Sequence, residues 1–335
     1  MKRKNMKSLL LFAINVLAFS NCYHCYHISF PTFKKNLAVI KDININKLTD
    51  NDKNDLKILF NSVPMLLFKN QNIEPNVFYD FCKSFDDKSN DKVIHPFKYS
   101  QIDSVPQVSL RGEAHIKDMY GIKNVTLKYS DPFKNTLVWH QDIVGHGTEL
   151  PPVVASIYMI KTPKTGGNTL FASMEDAYDS MEFYMKKKLS KYNVIYTNTR
   201  NDMMNSYFDY TGINRVLNND FDYKGTTTLT RTPLIVYSNR EKRRKALMLS
   251  PFRFNKFDKL TCDDSFDLYR EIMTKYVFTP QNIVDIKWNK NDLLLFNNRK
   301  LIHTSTPTIE YKNQERLYYS CFVGTSQPII KGISQ

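Results

Sequence analysis

The run Val153–Ile160 constrains this chain most. It is apolar and rich in β-branched residues, which suits a central strand covered on both faces. Shorter apolar runs of the same kind recur at Val63–Phe68, Leu293–Phe296 and Leu317–Val323, with a further strand signal at Gln107–Leu110 behind Pro106 and another at Leu137–Trp139. Helical periodicity is confined to short pieces. Asp50 to Phe60 puts Leu56, Leu59 and Phe60 on one side. Pro75 opens a second helix, where Phe78, Phe81, Cys82 and Phe85 fall at i, i+3, i+4 and i+7. Ser173 is a cap with Asp176 as its capping-box partner, and Ala177, Met181, Tyr184 and Met185 continue that helix's apolar face. Phe266 to Tyr276 is a last helix. Leu234–Tyr237 and Ala246–Leu249 read as two strands around a basic turn, Arg240 to Lys245, whose expected role is a solvated hairpin tip. The pattern predicts a mainly β fold with flanking helices. No internal repeat or low-complexity linker divides the 335 residues.

The N-terminus reads as a leader. Lys2, Arg3, Lys4 and Lys7 precede the apolar stretch Leu9–Phe19, which has signal-peptide length and is short for a membrane span. Residues 1–30 are therefore expected to be a targeting leader giving entry to the secretory pathway, with the final compartment open. Membrane contact is expected only through this leader if it stays uncleaved. Five cysteines, odd in number and scattered, do not form a disulfide framework; Cys82 and Cys321 read as core residues. The net charge of +14 is compatible with an anionic ligand or an acidic surface.

The chemistry lies in Trp139-His140-Gln141-Asp142 and in His303, 163 residues further on. On a strand, residues i and i+2 share a face, so His140 and Asp142 can reach one point. Two imidazoles and one carboxylate are the facial triad of non-heme Fe(II) oxygenases, with three coordination positions left open. Around them lie Pro151-Pro152 behind a loop from Ile143 to Leu150, a tight turn Pro163 to Asn168 ending in the Thr169 hydroxyl, and Arg316, 13 residues after His303. A guanidinium there can hold a dicarboxylate by paired, charge-assisted hydrogen bonds.

With these segments in the order MLLFKNQNIEP, WHQD, the double proline, TGGNTLFASMEDAY, LLLFNNRKLIH and RLYYSCFVG, the chain resembles the TauD/TfdA family of Fe(II)- and 2-oxoglutarate-dependent dioxygenases over residues 36–327. The resemblance implies a double-stranded β-helix, or jelly roll, with flanking helices. It implies that His140, Asp142 and His303 ligate Fe(II) and that Thr169 and Arg316 hold the distal carboxylate of 2-oxoglutarate. O2 is the second co-substrate, a C–H bond of a small organic substrate is oxidised, and succinate and CO2 are released. The family's sulfonate oxygenases carry a second arginine four residues after the first; here that position is Ser320, so the sulfonate anchor is missing. Their His-Pro-aromatic segment is matched by His95-Pro96-Phe97, but the tyrosine that follows is Lys98, which can pair with a substrate anion. The usual Asp before Asn-Arg is Asn297. His146 on the loop after Asp142 is a further substrate candidate. Two rival readings stand beside this one. A nucleic-acid demethylase of the same cofactor class is motivated by the charge, but no basic and aromatic alternation accompanies the motifs, so no nucleic-acid partner is expected. A non-enzymatic binding protein on a retained jelly roll is opposed by the intact triad. A homo-oligomer is left open.

Overall fold

The computed structural model describes residues 26–32, 36–86, 88, 91–94, 98–127, 139–144, 150–197, 229–238, 244–306, 314–325 and 327–332. The apolar runs form one large sheet. Its strands lie in the order His27–Ser29, Leu37–Lys41, Met65–Phe68, Leu293–Asn297, Val154–Lys161, Arg316–Val323, Val105–Met119 and Gln101–Ile102, and Ile122–Leu127 pairs with Val105–Met119. Pairing is antiparallel except where Leu37–Lys41 meets Met65–Phe68. A second sheet of three strands, Ile283–Ile286, Thr169–Ser173 and Leu301–Ser305, packs against it.

Period-two alternation explains why the central strands read as unbroken apolar runs. In Leu293–Asn297, Leu294 and Phe296 pack between the two sheets with Ala155, Ile157, Phe171 and Phe322. Leu293 and Leu295 point the other way, into a cluster with Phe78, Tyr158 and Tyr319. A strand buried on both faces has no polar residue to alternate with. The two N-terminal helices cover that outer face. Asp50–Ser62 is closed by a reciprocal box between Thr49 and Asp52, and Pro75–Lys83 presents Phe78, Phe81 and Cys82 inward. Cys82 and Cys321 are buried in this cluster, as expected, whereas Cys262 is exposed. A third cluster joins the short helices Met174–Ser180, Phe183–Leu189 and Cys262–Ile272 to the strands Asn193–Thr197 and Phe254–Phe257.

Several expectations are corrected. Ser173 does cap its helix, accepting from the Asp176 backbone N–H at 3.1 Å, but the Asp176 carboxylate turns away to Asn36 and Arg244. That helix ends at Ser180, because Met181 takes an extended conformation, and a new helix starts at Phe183. Met181 and Met185 remain buried, but Tyr184 is 59% exposed and belongs to no apolar face. The last helix starts earlier, at Cys262, because Thr261 caps it, and it ends at Ile272 in a π-turn over Met273–Val277. In the basic turn, Arg240, Lys242 and Arg243 lie outside the described residues. Arg244, its side chain 39% exposed, pairs with Glu175, Asp176 and Asp179. The strand at Gln107–Leu110 runs from Val105 to Met119, since alternate charged residues beyond Leu110 face outward. The basic and apolar leader segments up to Cys25 lie outside the described residues, as do Leu137 and Val138; His27–Ser29 pairs with Leu37–Lys41. Among the described residues no helix is long and apolar enough to cross a membrane.

Candidate metal centre

His140 and His303 are joined by backbone. Each donates its N–H to the other's carbonyl at 2.9 Å, an isolated antiparallel bridge at the edge of the three-stranded sheet. The bridge puts their rings 4.2 Å apart, centroid to centroid. Asp142 reaches the same point by a different route from the strand alternation expected. After His140 the chain leaves the sheet and turns over Asp142–Val144, with Ile143 at φ 65°. A β-branched residue in the left-handed region is rare, and such strain collects at functional sites.

Asn298 holds this turn. Its Oδ1 accepts from the Asp142 N–H at 2.8 Å, and its Nδ2 donates to the carbonyls of Asp142 and Pro152 at 3.0 and 3.2 Å. The Gln141 N–H donates to Ser250 Oγ at 3.0 Å. The Asp142 carboxylate is thereby placed between the imidazoles, Oδ1 at 3.5 Å from His140 Nε2 and Oδ2 at 3.6 Å from His303 Nε2. The three donor atoms all lie within 4.8 Å of one another. Neighbouring ligands about 2.1 Å from a metal ion are about 3 Å apart, so a small divalent ion needs only a slight closing of this set. Burial, and then the neighbouring His140, hold the His303 imidazole down to a pKa of about 3, against the opposing pull of Asp142. It is neutral at physiological pH, and its Nε2 lone pair can take a metal. Phe171 stacks on the His303 ring at 5.5 Å and Phe296 meets it edge-on at 5.0 Å. His303 Nδ1 is buried and has no hydrogen-bond partner among the described residues. Ligating imidazoles usually pass that N–H to an acceptor; here two aromatic rings and the backbone bridge orient the ring.

Thr169 and Arg316 meet on the inner faces of the two sheets. Thr169 is two residues from Phe171, the cross-strand partner of His303. Arg316 alternates with Tyr318 and Phe322, which pack between the sheets. Arg316 Nε donates to the Gly167 carbonyl at 3.0 Å and Nη2 to Thr169 Oγ1 at 3.3 Å, and the guanidinium lies 4.5 Å from the Tyr318 ring centroid. Arg316 is not a surface ion pair: it is 5% exposed, and its neighbour Glu315 pairs with Lys161 at 2.6 Å. A buried guanidinium with no carboxylate paired to it among the described residues favours an anionic ligand. The sequence reading missed Trp288, whose Nε1–H also donates to Thr169 Oγ1, at 3.0 Å. With both lone pairs engaged, the Thr169 hydroxyl has only its proton to offer a ligand. It also missed Asn298 as the support of Asp142.

Of the substrate candidates, Ser320 is buried on the same strand face as Arg316. His95, His146 and the Lys98 side chain lie outside the described residues.

A family model described as "Taurine catabolism dioxygenase TauD, TfdA family" matches residues 30–321. The chain is 23% identical to the alpha-ketoglutarate-dependent xanthine dioxygenase xan1 of Schizosaccharomyces pombe, over 87% of this chain and 85% of that one. It is 22% identical to xanthine dioxygenase xanA of Emericella nidulans, over 88% and 94%. In three dimensions it resembles a taurine dioxygenase from Burkholderia xenovorans, with a TM-score of 0.68 at 16% identity over 92% of each chain. It also resembles AAD-2 solved with Mn(II) and N-oxalylglycine, with a TM-score of 0.64 at 17% identity over 91% and 99%. Both likenesses show the jelly-roll fold.

Proposed function

Because the chain belongs to the TauD, TfdA family and is an Fe(II)- and 2-oxoglutarate-dependent dioxygenase acting on a small organic substrate, we propose that His140, Asp142 and His303 are its iron ligands and that Thr169 and Arg316 hold the distal carboxylate of 2-oxoglutarate. One observation carries this reading: the convergence of two imidazole nitrogens and one carboxylate within 4.8 Å. Two neutral imidazoles and one anion suit a divalent ion and leave positions open. When bound, Fe(II) supplies the oxygen activation that couples conversion of 2-oxoglutarate to succinate and CO2 with oxidation of a substrate C–H bond. The chain's own groups do the rest. Asn298 fixes the backbone on which Asp142 rides, Thr169 donates its proton to a carboxylate oxygen, and Arg316 compensates the charge. Phe171 and Phe296 exclude water behind His303.

For the substrate, the reading favours an uncharged or weakly acidic nitrogen heterocycle, with hydroxylation as the outcome. Two relatives spanning most of the chain are named for xanthine. Ser320 brings no cation to the inner face beyond Arg316, and a buried sulfonate against a neutral hydroxyl would be poorly compensated. Succinate formation by purified protein with Fe(II), scored over a panel that includes xanthine and taurine, tests this. Stimulation by the heterocycle and none by taurine is expected; taurine turnover at about 1 per second or faster would overturn the substrate reading. His140→Ala, Asp142→Ala and His303→Ala should each abolish Fe(II)-dependent succinate formation, and three active variants would remove the metal assignment.

A further inference from the structure

We propose that a cavity bounded by Arg299, Lys57 and Asn297, separate from the metal centre, is an anion site for a small oxyanion of the phosphate or carboxylate type. The cavity has a volume of about 210 Å³, and Phe60 and Phe85 form part of its wall. A water's share of liquid volume is about 30 Å³, so an oxyanion fits with water beside it. None of the proposed iron or 2-oxoglutarate ligands lines it.

Arg299 carries the inference. It is 8% exposed, and its guanidinium donates to the carbonyls of Pro151, Gln327 and Pro328 at 2.9, 2.7 and 3.2 Å. These bonds tie the double proline to the C-terminal segment. They satisfy three of the five N–H groups but do not neutralise the charge. Burial pulls the Arg299 pKa down to about 10, and Asp86, acting through space without a hydrogen bond to it, opposes this only in part. The adjoining Lys300 has a counter-ion, Glu175 at 3.5 Å, a carboxylate it shares with Arg244. Lys57 also lines the wall. The apolar part of the wall, Phe60 and Phe85 among it, concentrates such a field. Asn297 lines the same cavity, and its Oδ1 accepts from the backbone N–H of Arg299 at 3.1 Å. A carboxylate at that position would set a second negative charge, beside that of Asp86, in the wall next to Arg299.

The test is calorimetric titration of the whole protein with inorganic phosphate, at an ionic strength held constant with chloride. Four proteins are compared: wild type, Asn297→Asp, Lys57→Ala and Arg316→Ala. Arg299 itself is left intact, since its loss would also release three carbonyls. One phosphate per chain is expected in wild type and equally in Arg316→Ala, which excludes capture by the 2-oxoglutarate pocket. Affinity should fall about tenfold or more in Asn297→Asp, through like-charge repulsion, and several-fold in Lys57→Ala. Thermal unfolding of Asn297→Asp should lose its response to phosphate while its phosphate-free Tm stays at or above that of wild type. A parallel acetate titration shows which oxyanion is preferred, and either preference supports the site. No binding to wild type, binding lost in Arg316→Ala, or unchanged binding in Asn297→Asp would overturn the proposal.

Discussion

Single side chains show how far identity alone can be read. The convergence of His140, Asp142 and His303 was legible because few residue types ligate a metal and the flanking motifs follow in order, not from the His-x-Asp spacing, which is common by chance. Trp288 was not, because it lies in a loop between strands and gives no periodic signal; its rarity, one of two tryptophans, was the only hint. Its contribution can be separated from that of Arg316. Loss of the charge-assisted contact in Arg316→Ala, at roughly 1.5–3 kcal/mol, should raise the 2-oxoglutarate requirement about 10- to 150-fold while leaving that for Fe(II) nearly unchanged. Trp288→Phe removes one neutral donor at about 1 kcal/mol and lets the Thr169 hydroxyl rotate, so the same titration should shift about fivefold. Unchanged 2-oxoglutarate affinity in Arg316→Ala would remove its role. A Trp288→Phe effect confined to Fe(II) would detach Trp288 from the pocket.

Elements were found where their own periodicity sufficed and missed where a neighbour decides. The capped helices are local, as are the central strands buried on both faces. Val105–Met119 is different: its outer half alternates Arg111, Glu113, His115 and Lys117 with buried Ala114 and Ile116, but with a glycine and so many charges its strand propensity is low, and pairing with Arg316–Val323 and Ile122–Leu127 holds it. Gly112 records the neighbour's influence. It sits at φ 122°, and a Cβ there would lie 2.0 Å from the Arg316 carbonyl oxygen. Gly112→Ala should therefore push the Arg316 end of its strand outward and weaken 2-oxoglutarate binding without touching the metal ligands. Wild-type 2-oxoglutarate affinity in this variant would show that the sheet can absorb the methyl group. The buried pair Lys300–Glu175, with Arg244 on the same carboxylate, is likewise a tertiary fact. Glu175→Gln leaves Lys300 buried beside a neutral group and should cost about 3 kcal/mol or more in denaturant unfolding. Adding Lys300→Met should return much of that loss, and two fully additive effects would show that the pair is not coupled.

The whole molecule brings together residues 163 positions apart. His140 and His303 meet only because the edge of the small sheet closes on the segment after Trp139, and Asp142 joins them only through a turn clamped by Asn298. Sequence order could name these partners, but the register that unites them is set by packing between two sheets. The unfolded chain therefore has no preformed site, and a divalent ion that binds the folded triad must stabilise the fold, by about 2.7 kcal/mol at a hundredfold excess over Kd. Mn(II), used without 2-oxoglutarate or substrate, makes this a test of binding alone. Wild type should melt at a temperature that rises with Mn(II). Asp142→Ala, deprived of the one charged ligand, should show little rise, and Arg316→Ala should respond as wild type does. An equal rise in wild type and Asp142→Ala would place the ion elsewhere, and with it the assignment of the three residues as a metal centre would fall.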